Sequence, residues 1–166
     1  NVSIPANVES IAASAFYMCE NLASVVIPAK AESIGAQAFY MCEKLLQLTF
    51  AANSSLQSIG TEAFSRCTKL NNVVIPNGVT SIGSGAFSSC YAITSINIPA
   101  AVTSIGNDAF LNCAALESIT VDSSNVNYSS DASGVLFDKN KVTLICCPMN
   151  KSATLYQLPE SVEKIN

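Results

Sequence analysis

Apolar residues recur along this chain in an order that repeats about every 23 residues. Five times a phenylalanine is followed three residues later by a cysteine, and successive cysteines are 23, 25, 23 and 23 residues apart. A fixed period of this length is the signature of repeat proteins, in which similar units stack into a solenoid and share one core. The sequence therefore predicts a stack of coils. The five pairs are Phe16/Cys19, Phe39/Cys42, Phe64/Cys67, Phe87/Cys90 and Phe110/Cys113.

Each unit contains a short stretch in which buried and outward positions alternate. In the third unit, Val73 and Ile75 fall on one face, whereas Asn72 and Val74 fall on the other. A period of two predicts a β-strand with one buried face. Pro76 ends this strand, because proline has no amide hydrogen to donate to a ladder. One short parallel strand is therefore expected in every repeat.

A second stretch in each unit has apolar residues at steps of three and four. The example in the fourth unit runs from Ile82 through Ala86 and Phe87 to Cys90. This spacing predicts a short helical or 3₁₀ turn that faces the core, and strands and turns together predict an α/β-type solenoid. A glycine precedes the turn in four units, where either a positive φ or a close approach between coils favours this residue. These glycines are Gly35, Gly60, Gly83 and Gly106.

The outward face of the stacked strands is the predicted binding face, because solenoids present their repeats as one extended surface. Its side chains are small and uncharged, whereas binding hot spots favour Trp, Tyr and Arg. We therefore expect a broad contact that is weak per residue and suits a polymer or many copies of a partner. The face consists of two rows, Ser24, Gln47, Asn72, Ser95 and Ser118 in one and Val26, Thr49, Val74, Asn97 and Thr120 in the other.

The period is interrupted after Val121, because the next equivalent position is Leu158 and about fourteen residues are added. Residues 134–137 and 142–146 flank a polar loop, which predicts a β-hairpin that projects from the stack. Such an insertion either forms a binding loop or covers a seam between coils, and the sequence leaves both open. The predicted organisation is a solenoid of about five repeats at 1–121, an extended repeat with the hairpin at 122–154, and the start of a further repeat at 155–166, within a longer array.

The seven cysteines do not have the spacing of a metal or disulfide site. One cysteine per coil places the thiols in a parallel row, whereas a zinc ion needs ligands that converge and a disulfide needs thiols that face each other. We therefore expect buried free thiols and no metal or cofactor. Cys146 and Cys147 are different, because adjacent strand residues face opposite sides; at least one thiol should be exposed, and a redox role stays open.

The chain has no histidine, which excludes Ser-His-Asp and Cys-His nucleophiles. We therefore predict that it is not an enzyme, and chemistry by Asp or Glu alone is the remaining enzymatic alternative. The net charge is −4, and the eight Lys and Arg residues are scattered. Nucleic-acid binding needs a concentrated cationic surface, so this class of partner is discounted. No apolar run reaches the roughly 18 residues that a membrane-spanning helix needs.

The repeat resembles the BspA-type leucine-rich repeat. Its motif Ile-Gly-x-x-Ala-Phe-x-x-Cys-x-x-Leu is complete at 34–45, 59–70 and 105–116, has Ile93 in place of leucine at 82–93, and has Ala12 in place of glycine at 11–22. The resemblance implies a right-handed leucine-rich repeat coil with one strand per turn. It also implies a place among surface proteins of bacteria and some protozoa, which are commonly linked to adhesion or to binding of host proteins.

Two hypotheses of function follow. The first is a non-enzymatic binding or adhesion module, secreted or at the cell surface, whose sheet binds a host or extracellular-matrix protein or a glycan. The second is a structural spacer solenoid with no ligand on this segment. Sequence outside these residues would separate the two, since a spacer should be followed by a functional or anchoring module.

Overall fold

A computed structural model describes residues 2–150 and 155–166, which form a β-solenoid of short strands. Coils are numbered here by their phenylalanine, from Phe16 in coil 1 to Phe110 in coil 5. The strands are β1 (Val2–Ser3), β2 (Ser10–Ile11), β3 (Ser24–Ile27), β4 (Ser33–Ile34), β5 (Gln47–Phe50), β6 (Ser58–Ile59), β7 (Ser81–Ile82), β8 (Ser95–Ile98), β9 (Ser104–Ile105), β10 (Ser118–Val121), β11 (Tyr128–Ser130), β12 (Leu136–Asp138), β13 (Thr143–Cys146) and β14 (Lys164–Ile165).

Two parallel sheets run along the stack, whereas the sequence predicted one strand per coil. The additional sheet has the order β2-β4-β6-β7-β9 and pairs each Ser-Ile dipeptide with the same dipeptide of the next coil. Its isoleucines join the core, and its serines lie at the surface or partly buried. The sequence did not reveal this sheet because each strand is two residues long, too short for a visible alternation.

The sheet built from the predicted strands is interrupted at coil 3. β1, β3 and β5 form one part and β8 and β10 form another, while residues 72–75 contribute only a single bridge between Asn72 and Gln47. The prediction of a strand at this position is therefore wrong. The side chains of Val73 and Ile75 nevertheless stay in the core, with 4% and 3% of their surface exposed. Apolar burial at this coil is retained even though the hydrogen-bonded ladder is not.

The turns that carry Phe and Cys contain no helix in any of the described residues, so the predicted helical or 3₁₀ turn is wrong. The amide of Cys42 donates to the carbonyl of Phe39 at 3.2 Å, which is the three-residue step of a 3₁₀ turn. Met41, in contrast, has a φ of 56°, and its amide donates to Ser65 of the next coil at 2.9 Å. Positive φ recurs at the same two positions of every coil: Ser14 and Met18, Gln37 and Met41, Glu62 and Arg66, Gly85 and Ser89, and Asp108 and Asn112.

This backbone explains why the sequence suggested a helix. Hydrogen bonds over three residues within each coil place apolar side chains at the spacing of a helix. The residues with positive φ, however, direct every second amide toward the neighbouring coil. The result is a run of β-turns that is bonded both within and between coils. The energetic gain of bonds between coils offsets the cost of positive φ at residues other than glycine.

The core is a row of stacked phenylalanine rings. Neighbouring ring centroids are 5.0 to 6.0 Å apart, and the interplanar angles are 8° or less. Phe39, Phe64 and Phe87 are completely buried, as predicted for a shared interior. Inward residues of both sheets close this core into one cluster.

Close approach between coils, and not a positive φ, accounts for the recurrent glycines. An added Cβ on Gly60 would lie 2.6 Å from the backbone nitrogen of Ala36, and an added Cβ on Gly83 would lie 2.5 Å from the backbone nitrogen of Thr61. Neither glycine has a positive φ. The structure thus decides between the two explanations that the sequence left open.

The insertion forms the predicted pair of antiparallel strands, β12 and β13, but it does not project from the stack. β11 pairs with the other edge of β12, and β14 pairs in parallel with β13. The amide of Ile119 in β10 donates to the carbonyl of Gly134 at 2.9 Å, and Leu136 belongs to the main core. The insertion therefore covers the edge of β10. The end of the predicted extended repeat, residues 151–154, lies outside the described residues.

A buried asparagine fixes the start of the insertion. The side-chain nitrogen of Asn125 donates to the carbonyl oxygens of Pro99 and Val102 at 2.8 and 3.0 Å. Its side-chain oxygen accepts the amides of Asn127 and Tyr128, both at 2.8 Å. Asn125 is completely buried, and this full set of partners removes the cost of burying an amide.

Candidate functional site

The ten residues of the predicted binding face lie on the outward side of the strands. Eight of the ten are exposed, while Ser24 and Ser118 are partly buried. Alternation along β3, β5, β8 and β10 produces this arrangement, since each strand buries every second side chain in the core. Val26 and Val74 are the most apolar members, and they expose 52% and 70% of their surface.

The structure brings these residues together in two blocks. In coils 1 and 2, Ser24 pairs with Gln47 and Val26 pairs with Thr49. The block in coils 4 and 5 pairs Ser95 with Ser118 and Asn97 with Thr120, and the Thr120 Oγ1 donates to the Asn97 Oδ1 at 3.0 Å. Asn72 and Val74 of coil 3 lie between the two blocks. The predicted rows are thus present, but they are not one continuous ladder.

A groove of about 620 Å³ opens on this face where the ladder is interrupted. We call it the coil-3 groove, and its walls are the end of β5, the loop at 51–54 and the segment 72–78. The loop carries the two additional residues of the 25-residue step, because Phe50 and Ile59 are nine residues apart whereas Ile75 and Ile82 are seven apart. The opposite wall contains the turn formed by Asn77 and Gly78.

The lining of the coil-3 groove is uncharged. Its polar groups include the side chains of Asn53, Asn72 and Asn77, and its apolar part includes Val74 and Pro76. No Asp, Glu, Lys or Arg occurs among the described residues that line the groove. Three members of the predicted face, Thr49, Asn72 and Val74, line it, whereas Asn53 and Asn77 were not predicted as site residues. The signals that point to them are the longer step and the single Asn-Gly dipeptide.

The cysteines of coils 2 to 5 form a row of buried thiols that donate hydrogen bonds to the preceding coil. The Sγ atoms of Cys42, Cys67, Cys90 and Cys113 lie 3.1 to 3.2 Å from a phenylalanine carbonyl oxygen. Burial raises the pKa of both Cys42 and Cys113 to about 12 and also raises the pKa of Cys67 and Cys90. The thiols are therefore neutral donors within the core, as a structural role requires.

The remaining cysteines differ from this row. Cys19 is exposed, contrary to the prediction of buried thiols in all five coils. Cys147 is exposed and Cys146 is partly buried, and burial raises the pKa of Cys146 to about 11. All seven cysteines are free. A neutral Cys146 is a poor nucleophile near neutral pH. A redox role for the exposed Cys147 stays a prediction.

A second cavity, of about 480 Å³, lies between the turn of coil 5 and strands β13 and β14. Phe110, Leu144 and Ile145 form much of its apolar lining, and Cys147 and Met149 lie at it. It contains none of the ten predicted face residues. The insertion has no Phe-x-x-Cys turn to stack on Phe110, which explains why space is left there.

Residues 2–150 and 155–166 contain no group of three or more His, Cys, Asp or Glu side chains with the arrangement of metal ligands. The same residues contain no helix that could cross a bilayer.

The family of the chain follows from its repeats. The model of the BspA type leucine rich repeat region matches residues 1–117 and 49–166, with six copies. The two matches together extend over the whole chain. The chain belongs to the BspA-type leucine-rich repeat family. No curated protein matches it in sequence.

Solved structures of leucine-rich repeat proteins resemble this BspA-type chain. A protein from Eubacterium ventriosum is 27% identical, with a TM-score of 0.83 over 99% of this chain and 42% of that chain. The T. pallidum protein TpLRR is 33% identical, with a TM-score of 0.67 over 71% of this chain and 56% of that chain. The pneumococcal vaccine antigen PcpA shares the fold at 22% identity, with a TM-score of 0.76 over 98% of this chain and 50% of that chain. The BspA-type chain thus spans 42 to 56% of the length of these three proteins.

Proposed function

We propose that the chain is a non-enzymatic binding module, secreted or at the cell surface, whose outward sheet face binds a host or extracellular-matrix protein or a glycan. The observation that carries this proposal is the face itself. Eight of its ten side chains are exposed, none is charged, and the rows are in register within each of the two blocks. A regular surface of this kind suits many weak contacts with an extended partner.

The family supports the placement at a surface, because the BspA-type repeat is found in surface proteins. The solenoid also supports a non-catalytic role. Its buried polar groups, such as the thiol row and Asn125, make hydrogen bonds that hold the coils together. These groups are directed into the core and away from any bound partner.

The test compares two pairs of substitutions that add the same charge in the same two coils. Asn97→Glu with Thr120→Glu places carboxylates on the binding face. Thr80→Glu with Thr103→Glu places them at exposed positions beside the other sheet, where both threonine hydroxyls donate to a backbone carbonyl of the preceding coil. Binding to arrays of extracellular-matrix proteins and glycans is measured for both.

The proposal expects the face variant to bind at least about tenfold more weakly and the control variant to bind as the parent does, because a charge without a partner opposes desolvation of the face. Equal losses in both variants would place the contact elsewhere. Absence of binding by the parent to every immobilised partner would instead favour the spacer, and would contradict the proposal.

A further inference from the structure

Three departures from the repeat meet at one place, the coil-3 groove. They are the two additional residues in the loop at 51–54, the loss of ladder pairing at Val73–Ile75 and the Asn77-Gly78 turn. Where the other coils have a proline at this position, as at Pro28 and Pro99, alanine follows it, whereas asparagine follows Pro76. A feature needed only for stacking would recur in every coil. Departures that converge on one concave surface indicate a specialised position.

The size and chemistry of the groove restrict its occupant. A volume of about 620 Å³ falls within the range of small-molecule and cofactor sites, which is about 300 to 1,000 Å³. Three exposed asparagines line it, and none of their side chains makes a hydrogen bond with another described residue. Each amide offers two donor hydrogens and an acceptor oxygen. The apolar surface of Val74 lies beside these amides and is 70% exposed.

An ionic ligand does not match this lining, because no ionisable residue lines the groove among the described residues. An uncharged ligand with both hydroxyl groups and C–H surface does match. Hydroxyl groups donate and accept, as the asparagine amides do, and C–H surface packs against Val74 and Pro76. Pyranose rings of a neutral oligosaccharide combine these two properties in one molecule.

An extended peptide strand fits less well, even though Val73–Ile75 has no ladder partner in either neighbouring coil. A strand added between coils would need an additional separation of about 4.8 Å. The rings behind the groove do not separate in this way, because Phe64 lies 5.1 Å from Phe39 and 5.5 Å from Phe87. A peptide ligand therefore cannot insert between the coils and complete the ladder. The side chains of the coil-3 groove must recognise the ligand instead.

We propose that the coil-3 groove is a subsite for an uncharged oligosaccharide, held by the amides of Asn53, Asn72 and Asn77 against the apolar surface of Val74. This inference rests on the proposed function, since it names the class of ligand that one part of the outward face binds. In this arrangement, the asparagine amides make hydrogen bonds with sugar hydroxyl groups, and Val74 packs against the C–H face of a sugar ring.

The experiment follows the side-chain amide signals of the ¹⁵N-labelled chain by NMR during titration with a panel of neutral tetrasaccharides. A sulfated heparin tetrasaccharide and a neutral octapeptide of Ser, Thr, Val and Asn are titrated in parallel. The proposal expects saturable shifts at Asn53, Asn72 and Asn77 with at least one neutral sugar. It expects none with heparin or with the peptide.

Two variants and one control locate the site. Asn72→Ala and Asn77→Ala should each weaken the binding of that sugar about tenfold, the loss expected for one net hydrogen bond. Asn140→Ala removes an exposed asparagine from the hairpin loop and should leave the affinity unchanged. Backbone amide spectra of each variant establish that the fold is retained.

The outcomes separate the two proposals. Shifts confined to the side-chain amide of Asn97, or binding of the peptide in place of sugars, would overturn the oligosaccharide subsite and leave the sheet face as the binding surface. Lack of binding by every neutral sugar would overturn the subsite in the same way. Sugar-dependent shifts only at the hairpin would contradict both the subsite and the proposed function.

Discussion

The Sγ of Cys90 lies 3.1 Å from the carbonyl oxygen of Phe64 and donates its hydrogen to it. This bond connects two coils that the sequence separates by 26 residues. The same carbonyl oxygen of Phe64 also accepts the amide hydrogen of Cys67, so both of the oxygen's lone pairs are used. The thiol thus takes part in stacking the coils as well as filling space, which explains why coils 2 to 5 each bury one cysteine.

Replacement of Cys90 by alanine should therefore destabilise the fold. The variant loses the sulfur volume and leaves one buried acceptor position empty, so we expect the free energy of unfolding to fall by about 1 to 2 kcal/mol. Urea denaturation followed by circular dichroism measures this change. Cys147→Ala is the control, because Cys147 is exposed and its removal should change stability by less than about 0.5 kcal/mol. Equal effects of the two changes would contradict the structural role of the row.

The same thiols should make stability fall in alkaline solution. Burial raises the pKa of Cys42 and of Cys113 from 9.0 to about 12. Between these values the unfolded chain loses thiol protons that the folded chain retains, so stability is complete below pH 9 and decreases as the pH rises toward 12. Each thiol contributes at most about 1.4 kcal/mol per pH unit.

Urea midpoints measured from pH 8 to 10.5 test this dependence. Because lysine and tyrosine titrate in the same region, the informative quantity is the difference between the parent and Cys90→Ala. The variant has one buried thiol fewer. The slope of its unfolding free energy against pH should therefore be smaller than that of the parent by an amount that corresponds to at most one proton. Parallel curves for the two proteins would show that Cys90 is not a buried neutral thiol.

Removal of one ring from the phenylalanine row should cost much more than removal of an exposed ring. Phe87 is completely buried between Phe64 and Phe110, at centroid distances of 5.5 and 6.0 Å. We expect Phe87→Ala to destabilise by about 3 to 5 kcal/mol, since it empties a core position and removes two stacking contacts. Tyr91→Ala, at a half-exposed ring of the same coil, serves as the control in chemical denaturation. A loss below about 1 kcal/mol for Phe87→Ala would refute the shared core.

Glycine at position 60 should be intolerant of even a methyl group. Its added Cβ would meet the backbone nitrogen of Ala36 at 2.6 Å, and backbone atoms within a stack cannot move independently. Gly60→Ala should therefore cost about 3 kcal/mol or more. Ala12→Gly, at the same position of coil 1, should cost only about 0.5 to 1 kcal/mol through backbone entropy. Thermal and urea unfolding of the pair decides whether close approach is the reason for glycine here.

The sequence predicted the architecture because the repeat records it directly. The Phe and Cys rows, the strands β3, β5, β8 and β10 and the outward rows follow from periodicity alone. The turns could not be predicted in this way. Met41 and Arg66 have φ values of 56° and 61°, and residues other than glycine give no sequence signal for the left-handed region. That conformation is imposed by hydrogen bonds from the neighbouring coil.

The candidate site was predicted only in part for a related reason. Alternation placed Asn72 and Val74 on the outward face, but it also predicted a strand that the structure lacks at this point. Two additional residues after Phe50 and the Asn77-Gly78 turn were visible in the sequence as departures from the repeat. Both features line one groove because neighbouring coils lie side by side in the folded chain. The sequence of a single repeat does not reveal this arrangement.

Asn125 shows a third limit of prediction from the repeat, since its side chain makes hydrogen bonds at a position where the other coils have an apolar residue. It stands 23 residues after Val102, at the position that Val79 and Val102 hold in their coils. Its four partners come from the equivalent turn of the preceding coil and from its own turn. The backbone carbonyl of Asn125 also accepts the Nζ of Lys139 at 2.5 Å. The residue therefore joins the insertion to the turn between Pro99 and Val102 through contacts that are far apart in sequence.

Asn125→Ala should consequently release the insertion from the stack. Loss of the amide leaves the carbonyls of Pro99 and Val102 without its donors and the amides of Asn127 and Tyr128 without its acceptor. An unsatisfied buried group costs about 1 to 3 kcal/mol, so we expect the free energy of unfolding to fall by at least about 3 kcal/mol. Asn140→Ala is the matched control, because it removes the same side chain from an exposed loop.

Hydrogen exchange gives a second measurement that locates the effect. Amides of β11 and β12 should exchange faster in Asn125→Ala, while those of β4 and β6 keep their protection, because coils remote from the insertion make none of the lost bonds. Uniform loss of protection would mean that the stack unfolds as one unit and that Asn125 has no local role. Unchanged protection in β11 would mean that packing of Leu136 against the core, and not the asparagine, holds the insertion in place.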